Sequence, residues 1–223
     1  MSLIVSLVGG ESTGKTTLAN ALVGHLLQNT RLRAALVPEH LRHWCEAHAR
    51  APQAHEQAAL AQQQAALIAE AAGMPVDVVV SDTSALMVAA YSEQYFADTS
   101  LLPGALAQQK GYGLTLLMGL DVPWMADGLF RDSPQARETT DALLRRALQT
   151  AAIPFQTLYG TPVQRLEQAL ALVGARLGQS LTATRPELSE GRVPWQCDAC
   201  SDPDCEHRLF TALLKNGAAP RSR

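Results

Sequence analysis

"LIVSLVGGESTGKTTL", residues 3–18, decides the fold. Residues 3–8 are a short apolar run that stops at Gly9-Gly10, the pattern of a buried strand. Gly9-x-x-x-x-Gly14-Lys15-Thr16 follows, and residues 14–28 then carry Leu, Ala and Val at helical spacing. A glycine-rich turn between a strand and a helix is a phosphate cradle, the P-loop. Its glycines let backbone N–H groups face an anion, and the helix N-terminus adds partial positive charge. The candidate nucleotide-binding residues are Gly9, Glu11, Ser12, Thr13, Gly14, Lys15, Thr16 and Thr17. Lys15 would reach the β- and γ-phosphates, and Thr16 would place its hydroxyl on Mg²⁺. The expected ligand is a nucleoside triphosphate, ATP, with magnesium.

Downstream, strand and helix patterns alternate. Residues 34–37, 76–82, 112–121 and 153–159 read as further strands. Residues 39–50, 53–73, 84–96 and 100–110 read as helices. Ser133 caps a helix with Pro134 at its first position. Thr161-Pro162-Val163-Gln164 reads as a capping box opening a last helix, its inner stripe Val163, Leu166, Leu170, Val173 and Leu177. Such alternation predicts an α/β fold, a P-loop NTPase three-layer sandwich with a five-stranded parallel sheet. Ligands then bind at the carboxyl ends of the strands. Composition shifts near residue 180, so residues 1–179 read as a P-loop kinase-like domain and residues 180–223 as a Cys-rich C-terminal extension.

Glu39, Asp82 and Asp121 all fall just past strand ends. Asp82 suits a magnesium carboxylate, the favoured reading because the P-loop demands a magnesium partner nearby; the alternative is a cap for the helix beginning at Ser84. Glu39 could take or orient the proton of an acceptor hydroxyl, or be a first-turn glutamate favoured by the helix dipole. Arg42 could bind substrate, or pair with Glu39 or Glu46. The loop 121–132 gathers Trp124, Asp127 and Arg131. Arg131 fits a lid arginine stabilising a transferring phosphoryl group. Trp124 offers a flat face to a ring or plugs the core. The catalytic candidates are therefore Lys15, Glu39, Asp82 and Arg131. The substrate-binding candidates are Glu39, Arg42, Trp124 and Asp127.

"GGESTGKTTL", "PEHLR", "SDTSALMVAAY" and "DVPWMADGLFRD" together resemble the ribosylnicotinamide kinase domain of NadR-type proteins, an AAA-like P-loop kinase family. The likeness covers roughly residues 1–178, in matching order. It implies transfer of phosphate from ATP to nicotinamide riboside, in NAD biosynthesis. By the same resemblance Gly14, Lys15, Thr16 and Thr17 bind phosphate and magnesium. Glu39 and Asp82 line the acceptor and metal region, while Trp124, Asp127 and Arg131 belong to a mobile lid. Pro38, Ser84 and Phe130 depart from the family pattern.

"WQCDACSDPDCEHRLF", residues 195–210, brings Cys197, Cys200, Cys205 and His207 together. Cys-x2-Cys is a common zinc half-site, and three cysteines with a histidine would fill a tetrahedral structural site. Iron–sulfur ligation with Cys45 as fourth ligand, a redox pair at 197 and 200, and three plain reduced thiols are the other readings.

Bulk properties bound the function. The 223 residues are 47% hydrophobic and carry net charge −3, so no global basic field argues for nucleic acid. No stretch reaches the length of a membrane span, and the N-terminus lacks the charged region of a signal peptide. A cytoplasmic location is the default expectation. The reading is an ATP- and Mg²⁺-dependent small-molecule kinase with a nucleoside-like substrate. The competing reading is a nucleotide switch that binds or hydrolyses ATP and controls a partner. The extension could serve a homo-oligomer or a protein partner.

Overall fold

Five apolar runs become five parallel strands. In chain order they are β1 (Leu3–Val8), β2 (Ala34–Val37), β3 (Val78–Asp82), β4 (Leu114–Met118) and β5 (Gln156–Leu158). The structure, a computed structural model, describes residues 2–125 and 133–181. The sheet order is β2-β3-β1-β4-β5. Each pairing is parallel: Val5 stands opposite Val80 on one side and Leu114 on the other. Strands buried on both faces have no need of polar alternation, which is why they read as continuous apolar runs.

The helices are α1 (Lys15–Asn29), α2 (His40–His48), α3 (Gln57–Gly73), α4 (Ala85–Phe96), α5 (Leu102–Lys110), α6 (Pro134–Thr150) and α7 (Pro162–Leu177). They cover the sheet from both sides. On one face Val5, Leu7, Val80 and Leu116 pack against Leu22 and Leu26 of α1 and Leu170 and Val173 of α7. On the other, Val8 and Leu117 meet Leu86 of α4 and Leu144 and Leu148 of α6. Ile68 of α3 closes that face over Val37 and Val79. The expected three-layer α/β sandwich with a five-stranded parallel sheet is the fold observed.

Three readings need adjustment. The strand patterns at 112–121 and 153–159 shorten to Leu114–Met118 and Gln156–Leu158; Ile153 and Phe155 are buried without pairing in the sheet. The helix expected at 53–73 begins with a single 3-10 turn, Ala54–Glu56, closed by reciprocal Gln53 and Glu56 capping bonds, before α3. Val163 is no stripe residue: it is 65% exposed, and Arg165 turns inward instead, only 3% exposed. The first turn of α7 lies over the polar strand ends, where a guanidinium finds acceptors and an isopropyl group does not.

The chain departs from β1 toward β2 on one side and later toward β4 on the other. The carboxyl end of β1 thus sits where the strand order reverses, the usual position of a ligand crevice. Residues 9–14 occupy it.

Candidate functional site

The loop leaving β1 is wound tightly. Ser12 has φ 57° and Gly14 φ 83°, the left-handed region. At Gly10 the reason for glycine is room: a Cβ would lie 2.7 Å from the carbonyl oxygen of Arg137 in α6. Thr13 Oγ1 donates to Gly10 O at 2.7 Å. Lys15 is buried, and its ammonium folds back over the loop, donating to Gly9 O at 2.8 Å and Gly10 O at 3.2 Å. A phosphate entering the loop would draw that ammonium away from neutral carbonyls toward formal negative charge.

Two buried arginines that the sequence reading did not single out hold this end of the sheet. Arg165 donates to Thr13 O at 2.6 Å, to Gly160 O at 3.0 Å and to Gly119 O at 3.2 Å, and pairs with Asp121. Asp121 also accepts from Gly160 N, so this carboxylate serves as a strut between the β4 and β5 ends. Arg137 donates to Val122 O at 2.9 Å. Met125 N donates to Ser12 Oγ at 2.9 Å, tying residue 125 directly to the cradle. No local sequence pattern marks either arginine: Arg165 falls outside the stripe expected for its helix, and its acceptor Thr13 lies 152 positions away.

Asp82 closes β3 opposite Leu7 and is 3% exposed. It does not cap α4, because Ser84 holds the N-cap position. Its Oδ1 is buried without a hydrogen-bond partner. An orphaned carboxylate oxygen beside the cradle suits a hard cation, and together with the Thr16 hydroxyl it supplies the oxygen donors magnesium takes. Among the described residues no group of three or more His, Cys, Asp and Glu could hold a metal ion by itself. A cation here would complete its shell with phosphate and water.

A cavity of about 580 Å³ opens beside the cradle. Residues 11–17 form one wall; Glu39, Leu41, Arg42 and Cys45 form a second; Ala51, Pro52, Gln57, Tyr91, Tyr95 and Phe96 complete it. Glu39 and Arg42 meet there at 3.5 Å. Burial pushes the Tyr91 hydroxyl well above its ordinary range, and the carboxylates of Glu39 and Glu11 push it further, so it stays a donor. Burial and then Glu39 likewise raise the Cys45 thiol, keeping it protonated. The aromatic lining comes from one helix, with Tyr91 and Tyr95 ring centroids 6.2 Å apart. In a chain with only 5% aromatic residues, three aromatics within residues 91–96 were the missed signal.

The rim has its own lock. Arg50 donates two bonds of 2.7 Å to Glu56 and stacks its guanidinium 4.8 Å from the centre of the Trp44 ring. His48 also stacks on Trp44, the two ring centroids 4.0 Å apart. His48 stays exposed to solvent, whereas His40 is half-buried, and burial, then His43, lowers its pKa.

The structure therefore brings the residues of the cradle, Glu39 and Arg42 to one cavity. Trp124 stands apart: it is half-buried, its Nε1 without a partner, and does not line that cavity. Asp127, Arg131, Cys197, Cys200, Cys205 and His207 lie outside the described residues. Among the described residues no helix is long and apolar enough to cross a membrane.

Residues 4–165 match the sequence profile of a family described as AAA domain. No curated protein sequence matches the chain significantly. Among solved structures, a NadR protein in complex with NR is similar at a TM-score of 0.65 and 22% identity, over 84% of this chain and 54% of that one. A NadR protein in complex with NAD and AMP-PNP gives 0.64 and 21%, over 84% and 52%. A deoxyadenosine kinase from M. mycoides, with dCMP and dCDP bound, gives 0.55 and 9%, over 78% and 100%. The chain spans about half the length of the NadR chains it matches. At these identities the likeness is one of fold.

Proposed function

The chain belongs to the AAA domain family, and on that premise we propose that it is an ATP- and Mg²⁺-dependent small-molecule kinase acting on a nucleoside-like alcohol, nicotinamide riboside favoured. The observation that carries this reading is the cavity shared by the cradle, Glu39, Arg42 and an aromatic wall. A nucleotide switch needs the cradle; it has no need of a ring-sized chamber with a carboxylate beside the phosphates. NR in one similar NadR structure, and NAD with AMP-PNP in another, support the choice of acceptor and donor.

In this mechanism the acceptor hydroxyl attacks the γ-phosphorus of ATP. Its proton passes to the Glu39 carboxylate, the bond from γ-phosphorus to the bridging oxygen breaks, and ADP leaves with that oxygen. Arg42 holds Glu39 in place while the proton moves. Lys15 exchanges its loop carbonyls for phosphate oxygens and follows the charge. The Thr16 hydroxyl and the Asp82 carboxylate would hold magnesium, which would supply charge neutralisation at the phosphates. Arg131 and Asp127 would act from the lid. For residues 180–223 we propose a zinc site of Cys197, Cys200, Cys205 and His207.

Purified protein should turn over ATP faster when nicotinamide riboside is added, with a phosphorylated product. ATP binding without acceleration by any nucleoside would replace this reading with the nucleotide switch.

A further inference from the structure

We propose that Gln57 reads the acceptor ring, its amide oxygen accepting from an N–H donor such as a carboxamide or an exocyclic amine. The proposal rests on the kinase reading above and names the chemistry its acceptor must carry.

The described core holds three buried glutamines: Gln57, Gln64 and Gln109. Gln64 uses both ends of its amide, accepting from His40 N at 2.8 Å and donating to Pro38 O at 3.3 Å. Gln109 does the same, accepting from Ser84 Oγ at 2.8 Å and donating to Thr115 Oγ1 at 2.9 Å. Gln57 is buried as deeply, at 3% exposed, yet its Oε1 has no partner. It also differs in place, because it alone of the three lines the cavity beside the cradle.

A buried acceptor without a donor is costly to keep, and native structures leave few of them. Gln57 lines the ligand chamber, and a half-turn of its amide about the last side-chain bond sets this oxygen toward a ligand that brings the donor. The other walls say what else that ligand carries. Tyr91, Tyr95 and Phe96 offer aromatic surface to a planar ring, and Glu39 waits for a hydroxyl. A ring with an N–H group at one end and a ribose hydroxyl at the other meets all three. A carboxylate or oxo analogue sets oxygen against oxygen, and a site built around a hydrogen bond rejects the analogue that lacks it.

The test compares kcat/KM for three substrate pairs at saturating ATP: nicotinamide riboside against nicotinic acid riboside, cytidine against uridine, and adenosine against inosine. The shift in melting temperature given by ATP reports a folded cradle in each variant. In the pair used best, the wild type should favour the N–H member by roughly tenfold or more, and Gln57→Leu should bring the two within about threefold. Gln57→Glu keeps an accepting oxygen and should keep the preference, which holds the proposal to account should Gln57→Leu fail to fold. A wild-type preference for the oxo or carboxylate member, a preference unchanged in Gln57→Leu, or one lost in Gln57→Glu overturns the role of Gln57 and leaves the kinase reading standing. Phosphorylation of no acceptor, with ATP still bound, removes both.

Discussion

Arg165 Nη1 donates to the carbonyl oxygen of Thr13 at 2.6 Å, joining α7 to the back of the phosphate cradle. The same guanidinium spans Gly119 O, Gly160 O and Asp121, so one side chain fixes the ends of β4 and β5 against the loop. Replacing it with methionine keeps the alkyl stem and strands three carbonyls, while Asp121 keeps only Gly160 N. Leaving buried partners unsatisfied costs on the order of 3 kcal/mol in all, or roughly 6–12 °C in Tm for a domain of this size. Arg165→Met should show that fall by calorimetry, together with a raised KM for ATP. A Tm within about 2 °C of wild type would mean that these bonds are exchanged freely for water.

Lys15 and Asp82 should separate activity from stability. Lys15→Met should lower ATP turnover by roughly 10²–10³-fold, the scale for losing one preorganised charge donor. Asp82→Asn removes a buried carboxylate whose Oδ1 has no partner. Its Tm should equal or exceed that of the wild type, because an unpaired charge leaves the interior. Turnover should still drop, and the magnesium needed for half-maximal rate should rise. A Tm loss in Asp82→Asn with unaltered magnesium dependence would make Asp82 a structural residue.

How much of this could be read in advance follows from how local each feature is. The cradle is spelled by residues 9–16 alone, and the caps at Ser133 and Thr161 by four residues each, so both were legible. The parallel sheet was legible because both of its faces are covered, which makes each strand an apolar run. Arg165 was not, since its partner Thr13 lies 152 positions away and nothing near Arg165 points to it. Gln57 was hidden for a related reason. In sequence it is one of five glutamines between residues 53 and 64, and only the fold distinguishes the one that faces the cavity. Glu39 and Arg42 follow the end of β2 and both line the cavity, whereas Asp121 follows β4 and instead braces Gly160 and Arg165, so a place past a strand end does not by itself decide a role.

The C-terminal extension is open to a direct measurement. On the zinc site proposed for Cys197, Cys200, Cys205 and His207, the full chain purified without added zinc should carry about one equivalent. Substituting Cys197 and Cys200 together by serine should release it. A content below about a tenth of an equivalent would sink the zinc proposal and favour reduced thiols or a redox pair.

The Arg50–Glu56 lock makes a prediction in pH. Two hydrogen bonds from Arg50 and one from Gln53 N hold the Glu56 carboxyl down from its usual 4.5 to about 2. A carboxyl whose folded pKa is depressed adds stability above its unfolded value, and that stability is lost as pH falls through the folded one. Glu56→Gln should therefore be less stable than wild type at neutral pH, and the difference should shrink between about pH 5 and pH 2. Because Ala51, Pro52 and Gln57 flank this lock and line the cavity, acceptor KM should rise in the variant while KM for ATP holds. Carbon-detected NMR titration of the Glu56 carboxyl checks the premise. A midpoint near the usual 4.5 would show that Arg50 does not hold the rim, and the pH dependence assigned to it would fall with it.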